Sequence, residues 1–549
     1  METTVLDGAL FARLLRGGAA NLKANVTTVN DLNVFPIPDG DTGDNMFLTI
    51  NAGAQAAGDG SGNLSQIAGK AASGMLLGAR GNSGVILSRI FAGLAKGFEG
   101  VDSADPAGLA KAFESGVEEA YGAVSVPVEG TILTVLKDSV KAANGSLGED
   151  GTLESYFADF SKELRLSLDR TPDLLDVLKE AGVVDSGGAG LGYIIEGMIN
   201  TLGGVDVDLD SGTGTSARSV DLDAFTENST LEFGYCTEFL LRLQTSKVDI
   251  ESFQVDELIT YLNNVGESVV CFQEGSIVKV HVHTKTPGNI INHMQRYGEF
   301  LTFKMENMTL QHNENHMQEK FAPKISKPHK EFAIVSVAAG AGIQDAFTSL
   351  GCDVVVDGGQ SMNPSAEDMI EAFEQLNADT IFVFPNNSNI IMTANQAAEL
   401  YEGADVRVVP TKTIGEGYAA ISMLDTTVGD TDAIIEDLKE IIAGVVTGMV
   451  SRAVRDTEMD GVDVHKGDFI GFVGDKIYVA CDDRNTAAAA LCEATKAGRY
   501  DIMLLVCGAD ATDEEAQALY DELHKTYKRT EIVMINGGQP IYDYIIILE

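Results

Sequence analysis

Leucine residues recur at helical spacing near the start of the chain, at Leu6, Leu10, Leu14 and Leu15. Because side chains three or four residues apart lie on one face of a helix, this pattern predicts a helix over residues 1–30. Similar patterns continue as far as residue 202, interrupted by short polar and glycine-rich stretches. They predict further helices at about 46–57, 65–77, 85–96, 127–143 and 178–202, and hence an all-α first domain.

The pattern changes near residue 230 to a mixture of strands and helices. The segment 232–243 alternates apolar and polar residues, as a half-buried strand does. The remaining elements predicted here are a helix at 255–265, a hairpin of strands 268–273 and 277–284 turning at Glu274-Gly275, a helix at 289–297 and a strand at 301–310.

From residue 331 onward, apolar strands alternate with helical stretches, which is typical of α/β proteins and suggests two α/β lobes. The predicted strands are 332–337, 353–356, 380–384, 406–410, 469–473, 476–480, 502–507 and 531–536. Two turn-rich clusters, 358–365 and 385–389, follow strand ends, where α/β folds place binding loops. Helix caps use the same residue types, so the role of these loops stays open.

These patterns predict a multidomain fold with an all-α helical barrel, an α+β middle domain and an α/β C-terminal domain. The predicted boundaries are 1–202 for the helical domain, 229–321 for the middle domain and 331–549 for the C-terminal domain. The turn-rich segment 203–228 and the small basic segment 322–330 are predicted linkers.

The composition of the chain limits the classes of partner that it can bind. The chain has 549 residues and a net charge of −44, which argues against nucleic acid or an anionic membrane as the main partner. Its six cysteines form no CxxC pair, a pattern of reduced thiols. No apolar run approaches the ~20 residues that span a bilayer, and the N-terminus lacks the features of a signal peptide. We therefore expect a cytoplasmic protein without an integral membrane segment.

An acidic loop, Asn33-Val-Phe-Pro-Ile-Pro-Asp-Gly-Asp-Thr-Gly-Asp-Asn-Met46, interrupts the first helices. Asp39 and Asp41 stand two residues apart between prolines and glycines, so their carboxylates can converge on one cation. Mg²⁺ prefers such hard oxygen ligands and usually adds phosphate oxygens of a substrate. A solvated acidic turn is the alternative interpretation.

Three further polar loops precede helices. One contains Gly78-Ala-Arg-Gly-Asn-Ser-Gly84, whose backbone N–H groups could bind an anion at a helix N-terminus. The others are Pro127-Val-Glu-Gly-Thr131 and Val184-Asp-Ser-Gly-Gly188. Because alternate loops of an up-down bundle fall at the same end, these four loops could form one site.

The motifs PDGDTGDNM, GARGNSGVILS, PVEGTILTV and AGVVDSGGAGL occur in this order. The region therefore resembles the DhaL-type domain of the dihydroxyacetone kinase family, a helical barrel that binds Mg-ATP at one end. The resemblance implies that Asp39 and Asp41 bind Mg²⁺. It also implies that the phosphates and the nucleotide are contacted by Thr42, Gly43, Asn45, Ser83, Gly84, Thr131, Ser186 and Gly187.

Two positions depart from that family. Its third metal aspartate has no counterpart here, and Asn33 is the nearest oxygen ligand. Thr42 stands where that family has a histidine. Asp44 is an additional carboxylate that we do not count as a ligand, and Arg80 is a candidate for stabilising the transferred charge, unless solvent alone surrounds it.

The whole chain, with YCTEF and HVH in the middle domain and GGQSMNPS in the C-terminal domain, resembles the kinase subunit of the fatty acid kinase family, whose C-terminal domain is DegV-like. This resemblance implies ATP-dependent phosphorylation of a fatty-acid carboxylate, giving acyl-phosphate. In that family a separate DegV-like fatty-acid-binding protein presents the acyl chain. We do not transfer lipid binding to the C-terminal domain itself, and a homodimer stays an open option.

The residues fit this chemistry, because a carboxylate is already ionised at pH 7 and needs no strong general base. Phosphoryl transfer mainly requires positioning and charge neutralisation. Two other classes stay open: a stand-alone kinase acting on a triose-like hydroxyl, and a non-catalytic nucleotide-binding scaffold.

A second metal site is predicted in the middle domain. His281 and His283 lie two apart on a predicted strand, and so on one face, while Cys236 lies on another strand. Thiolate and imidazole ligands suit Zn²⁺. The alternative is a partly buried cysteine near two unrelated histidines, but the resemblance favours a metal, since that family carries this Cys and HxH.

Overall fold

The computed structural model describes residues 3–32, 40–124, 126–148, 150–205, 235–248, 253, 255–274, 276–284, 286–307, 329–360, 362–428 and 430–549. The chain forms two compact units. One combines Met1–Ser216 with Pro328–Glu549, and the other is Ala217–Lys327. Most of the predicted linkers, residues 206–228 and 322–328, lie outside the described residues.

The N-terminal part of the first unit is helical, as predicted. α1 begins at Gly8 rather than at residue 1, because the Asp7 side chain accepts a hydrogen bond from the Leu10 N–H and caps the helix. The helices are α1 (Gly8–Asn30), α2 (Thr42–Ala57), α3 (Leu64–Gly78), α4 (Gly81–Gly97), α5 (Pro106–Gly122), α6 (Ile132–Ser146), α7 (Leu153–Asp169), α8 (Thr171–Leu174), α9 (Asp176–Ala181) and α10 (Ser186–Leu202).

Several predicted helix starts in this part are wrong: α2 and α4 begin four residues before the predicted starts, at Thr42 and Gly81. α6 begins at Ile132 and not at residue 127, since Thr131 still has an extended backbone. The stretch from residue 178 is not one helix. α9 ends before Gly182, which is left-handed, and Asp185 then caps α10 by accepting from the Gly188 N–H. With the corrections to α6 and α10, the predicted polar residues still lie at helix N-termini, with Thr131 and Asp185 as N-cap residues and Ser186 and Gly187 in the first turn of α10.

The helical core is a continuous apolar cluster drawn from nearly all of these helices. It includes fully buried aromatic residues such as Tyr156 and Phe160. The apolar faces that predicted the helices are thus the faces that pack, and the polar loops are left at the helix ends.

The C-terminal part of the first unit contains two sheets with helices. Four parallel strands form one sheet in the order β6-β5-β7-β8, and six strands form a mixed sheet in the order β13-β12-β9-β16-β14-β15. The strands are β5 (Lys330–Ala338), β6 (Val354–Asp357), β7 (Ala378–Phe384), β8 (Asp405–Val408), β9 (Val446–Arg452), β10 (Thr457–Met459), β11 (Val462–Val464), β12 (Phe469–Val473), β13 (Lys476–Cys481), β14 (Ile502–Cys507), β15 (Glu531–Asn536) and β16 (Tyr542–Leu548).

All eight strands predicted here exist, but sequence analysis missed four: β9, β10, β11 and β16. β9 and β16 pair antiparallel at the centre of the mixed sheet, so the prediction lacked its middle. The helices of this part are α13 (Ala341–Ser349), α14 (Ala366–Glu374), α15 (Ser388–Leu400), α16 (Ile414–Ser422), α17 (Thr431–Gly444), α18 (Arg484–Ala494) and α19 (Asp513–Thr526).

The second unit is α+β, as predicted. Its antiparallel sheet has the order β2-β3-β1-β4, and its apolar core includes Phe239, Leu262 and Val282. The predicted last helix and strand are shifted by a few residues toward the N-terminus. The elements are β1 (Tyr235–Leu243), α11 (Val255–Val265), β2 (Glu267–Glu274), β3 (Ile277–Thr284), α12 (Pro287–Met294) and β4 (Gly298–Asn307). Among the described residues, no helix is long and apolar enough to cross a membrane.

Candidate functional site

The acidic loop leads directly into α2. Asp41 is the N-cap residue of this helix, but its side chain makes no capping hydrogen bond and is therefore not committed to the helix terminus. Thr42 begins the helix, and Asn45 is buried one turn later with 5% of its surface exposed. Asp39 and Asn33, the other predicted ligands, lie outside the described residues.

The second predicted loop packs against this one. Gly81 begins α4 with a positive φ of 57°, and a Cβ there would lie 2.6 Å from Asn45 Nδ2. A side chain at this position would therefore push the two loops apart. A cavity of about 150 Å³ lies between them, lined by Gly40, Asp41, Thr42, Asn45, Asn82, Ser83 and Asn389.

The fourth predicted loop joins the same cluster through a hydroxyl pair. Ser186, the first residue of α10, donates through Oγ to Thr42 Oγ1 at 3.2 Å. The neighbouring Asp185 carboxylate accepts from the Gly188 N–H at 2.7 Å. Burial raises the pKa of Asp185 to about 6, against the opposing effect of backbone hydrogen bonds from Gly188 and Ile132.

Five of the predicted nucleotide-binding residues do not line this cavity: Gly43, Gly84, Thr131, Ser186 and Gly187. Thr131 donates through Oγ1 to the Val128 carbonyl of its own loop at 2.8 Å. Gly84 and Gly187 are buried in helix contacts, next to Thr49 and Ile132 respectively. Ser83, next to Gly84, lines the cavity, and Ser186, next to Gly187, contacts Thr42, whereas no residue of the loop 127–131 lines it.

The α/β part of the same unit closes the site from another direction. Asn363, which lies between β6 and α14 and is 2% exposed, donates through Nδ2 to Asp41 Oδ2 at 2.5 Å. Asn389, in the first turn of α15, accepts through Oδ1 from Asn82 Nδ2 at 3.2 Å. Sequence analysis had marked both loops, 358–365 and 385–389, but had not connected either one to the acidic loop.

Arg80 contacts this α/β part rather than solvent alone. Its Nη1 donates to the Asn363 carbonyl at 2.7 Å and lies 3.3 Å from Asp368 Oδ2. The guanidinium therefore serves, in this structure, to join the α3–α4 loop to the segment that carries Asn363.

The donor set of the cavity fits a hard cation better than a bare anion. Its described lining residues include a carboxylate, amides and hydroxyls, and none of them is basic. Asn82 Oδ1 and Asn363 Oδ1 are buried without a hydrogen-bond partner in the described structure. Since unpartnered buried oxygens are costly, these atoms suit water molecules around a cation or the cation itself.

The predicted zinc ligands lie on two adjacent strands of the second unit. The register pairs Cys236 of β1 with His283 of β3, and His281 with Glu238. His281 and Cys236 are thus placed at nearby backbone positions of one sheet. Within the described residues, no cluster of three or more His, Cys, Asp or Glu side chains could hold a metal. The side chains of Cys236, His281 and His283 lie outside that description.

Comparison with protein-family models gives three matches that follow one another along the chain. The DAK2 domain matches residues 36–200. The middle domain of the FakA-like fatty acid kinase family matches residues 232–315, and the C-terminal domain of the same family matches residues 333–549.

Two curated relatives match along the whole length. Protein YloV of Bacillus subtilis is 39% identical, with 100% of both chains covered. Uncharacterized protein SH1689 of Staphylococcus haemolyticus is 38% identical, with 99% of both chains covered.

Solved structures give weaker likenesses. A DegV family protein from Thermus thermophilus, described as fatty acid binding, is 14% identical at a TM-score of 0.30 and covers 40% of this chain and 99% of its own. The dihydroxyacetone kinase from C. freundii in complex with AMP-PNP and Mg²⁺ is 19% identical at a TM-score of 0.29, covering 35% of this chain and 34% of its own.

Proposed function

The chain belongs to the FakA-like family of fatty acid kinase proteins, and we propose that it is an ATP-dependent kinase subunit that phosphorylates a fatty-acid carboxylate. This membership confirms the resemblance seen in the sequence motifs and agrees with the order of helical, α+β and α/β parts. The proposed product is an acyl-phosphate, and the proposed carrier of the acyl chain is a separate fatty-acid-binding protein. The observation that best supports the site is the meeting of Asp41, Thr42, Asn82 and Ser83 around one cavity.

In this proposal Asp41, together with Asp39, holds Mg²⁺, which when bound neutralises charge on the phosphates of ATP. Thr42, Asn45 and Ser83 provide hydroxyl and amide groups that orient the phosphates. Thr131, Ser186, Gly84 and Gly187 belong to the loops proposed to surround the nucleotide, and Gly43 lies in the first turn of α2, next to Thr42. These roles are the ones that the family resemblance implies for the matching residues of this chain.

The transfer step requires no proton movement. A carboxylate oxygen of the fatty acid attacks the γ-phosphorus of ATP, the bond to the bridging oxygen breaks, and ADP leaves with that electron pair. Because the carboxylate is ionised at neutral pH, no base must remove a proton first. The described lining of the cavity accordingly offers no histidine, lysine or cysteine that could act as a base or nucleophile.

The size and polarity of the cavities in the helical part of the chain support a carrier for the acyl chain. The cavity beside Asp41 has a volume of about 150 Å³ and a largely polar lining. An apolar cavity in the helical core, beside Phe11 and Phe113, has only about 20 Å³. Exposing the acyl chain to water would cost ~0.8 kcal/mol per CH₂, so the tail is expected to stay in another protein while the carboxylate enters the site.

The proposal is tested by incubating the full chain with ATP, Mg²⁺ and fatty acid, with and without a DegV-like fatty-acid-binding protein. Acyl-phosphate is trapped with hydroxylamine while ADP is measured. We expect acyl-phosphate only when the carrier is present, and its loss in Asp41→Ala. Asp44→Ala is the matched control, because Asp44 is an exposed carboxylate in the same turn that bonds to Asn30 and does not line the cavity.

The outcomes separate the other two classes. Phosphorylation of a triose by the chain alone would identify a small-molecule kinase. Binding of ATP without any transfer, even with a loaded carrier, would favour a scaffold. Rapid phosphorylation of free fatty acid by this chain alone would refute the carrier. Near-normal turnover by Asp41→Ala would refute the metal assignment.

We also propose that Cys236, His281 and His283 bind Zn²⁺ in the middle domain. The proposal is supported by the backbone register, which pairs Cys236 directly with His283. Three such ligands would leave one tetrahedral position open, unless another residue of the chain completes a structural site.

A further inference from the structure

Asn363 is the residue of the α/β part that comes into direct contact with the proposed metal carboxylate. Its amide nitrogen lies 2.5 Å from Asp41 Oδ2 and 3.5 Å from Asn45 Oδ1. Only 2% of Asn363 is exposed, so water competes little for this contact. The mechanism proposed above makes no use of this residue.

The backbone of Asn363 is fixed to the helical part by neighbouring contacts. Its carbonyl accepts from Arg80, and Arg80 also pairs with Asp368 at 3.3 Å. Two residues further on, Ser365 forms an isolated β-bridge with Arg80. These contacts fix the backbone of Asn363 relative to the helical part, and so they place its side-chain amide beside Asp41.

We propose that Asn363 is a positioning residue, through which the C-terminal part holds Asp41 in the orientation that binds Mg-nucleotide. This inference rests on the proposed function, because it assigns a task at the same site. Carboxylates that bind metals commonly accept a second hydrogen bond, which fixes their orientation, and loss of that partner typically costs 10–100-fold in affinity or activity. The amide supplies this hydrogen bond.

The other end of the same amide supports a role at a ligand rather than in the fold alone. Asn363 Oδ1 is buried without a hydrogen-bond partner among the described residues. A side chain that served only to join two protein surfaces would leave a costly orphan acceptor there. An acceptor beside a metal carboxylate can bind a water molecule of the metal's hydration shell.

The opposite role would be inhibitory: the hydrogen bond from Asn363 would keep the Asp41 carboxylate from the metal and would have to break before the metal binds. The two roles predict opposite signs. Removal of a positioning residue weakens the binding of Mg-nucleotide, whereas removal of a block strengthens it.

The experiment is calorimetric titration of the full chain with AMP-PNP, once with saturating Mg²⁺ and once in EDTA. Asn363→Ala is expected to weaken the Mg²⁺-supported affinity about tenfold and to leave the affinity in EDTA unchanged. Glu399→Gln is the control. It removes an ion pair with Arg89 between the same two parts of the chain, away from the cavity, and should change neither affinity.

Each result has one meaning. If the unmodified chain binds AMP-PNP without any dependence on Mg²⁺, the proposed function fails, and this inference fails with it. If the unmodified chain depends on Mg²⁺ but Asn363→Ala binds equally well or more tightly, only the inference is overturned. An equal loss in Glu399→Gln would also overturn it, since general loosening of the two parts would then explain the effect.

A second variant covers the case in which Asn363→Ala melts at a markedly lower temperature without ligand. Asn363→Asp has nearly the same volume but replaces the donor with a carboxylate beside Asp41. The ratio of the affinities with and without Mg²⁺ should then change. A ratio equal to that of the unmodified chain overturns the inference.

Discussion

Gly43 allows α2 to approach α1 beside the candidate site, and its replacement by alanine should destabilise the helical part. A Cβ at Gly43 would lie 2.5 Å from the Val26 carbonyl oxygen and 2.9 Å from Asn30 Oδ1. The first of these atoms is backbone, so the helices themselves must move apart. Overpacking of this kind typically costs 1–3 kcal/mol, and weakening the 2.7 Å hydrogen bond from the Gly43 N–H to Asn30 adds about 1 kcal/mol. The better helix propensity of alanine returns at most about 1 kcal/mol, so a net loss of about 1–3 kcal/mol is expected.

The assay is urea unfolding of the full chain, followed by far-ultraviolet circular dichroism, with AMP-PNP binding measured on the same samples. Gly69→Ala is the matched control, because Gly69 lies inside α3 and a Cβ there would meet no atom within 4 Å. That variant should gain up to about 1 kcal/mol from helix propensity alone. If Gly43→Ala unfolds at the same urea concentration as the unmodified chain, or later, the close approach of α1 and α2 does not have the energetic weight assigned to it.

Two further predictions concern titration and metal content. Burial raises the pKa of Asp185 to about 6 in the folded protein, above its value in the unfolded chain, so the protonated carboxyl favours the folded state. This stabilisation is complete below about pH 4 and is lost as the pH rises through 6. Asp185→Asn keeps an oxygen for the Gly188 N–H and should reduce this loss, by about 3 kcal/mol at most, in urea midpoints measured from pH 4 to 8; an unchanged profile would contradict the assignment. Elemental analysis of protein purified without a His-tag and never exposed to chelator should show about one zinc per chain, lost in His283→Ala; less than a tenth of an equivalent of any transition metal would refute the site.

Local sequence patterns predicted the all-α character of the helical part and most of its helices, although they missed α5, α7 and α8, because the information for a helix is largely local. Apolar residues at helical spacing mark the packed faces, and residues such as Asp41 and Ser186 are conspicuous because they interrupt them. Their approach in space then follows from the bundle, and the Ser186–Thr42 hydrogen bond is an example. The predicted domain boundaries stay predictions. The roles of the site residues also stay predictions, and two of these residues, Asn33 and Asp39, lie outside the described residues.

The contribution of the α/β part to the site could not be predicted from local sequence patterns. Asn363 and Asp41 are separated by 322 positions, and no periodicity links a turn in an α/β region to a loop in a helical one. The central strands β9 and β16 were missed for a related reason. They pair with each other across about 90 residues, so the partner that makes each one a strand is absent from its local context.

Three helix N-termini lie in the loop cluster around Asp41, which is relevant to how an acidic chain can hold an anionic ligand. In the proposed function, a chain with a net charge of −44 binds an anionic nucleotide at a site whose described lining has no basic residue. α2 begins at Thr42, α4 at Gly81 and α10 at Ser186, all within the loop cluster around Asp41. Each N-terminus carries a partial positive charge that attracts phosphate, although the Gly43 and Gly188 N–H groups already donate to Asn30 and Asp185. These dipoles are fixed in the fold. A lysine side chain in their place could instead pair with the surrounding carboxylates. In the proposed function a divalent cation would supply the remaining positive charge. The orientation of Asp41, and hence its contact with Asn363, would then be the point at which the α/β part can control the site.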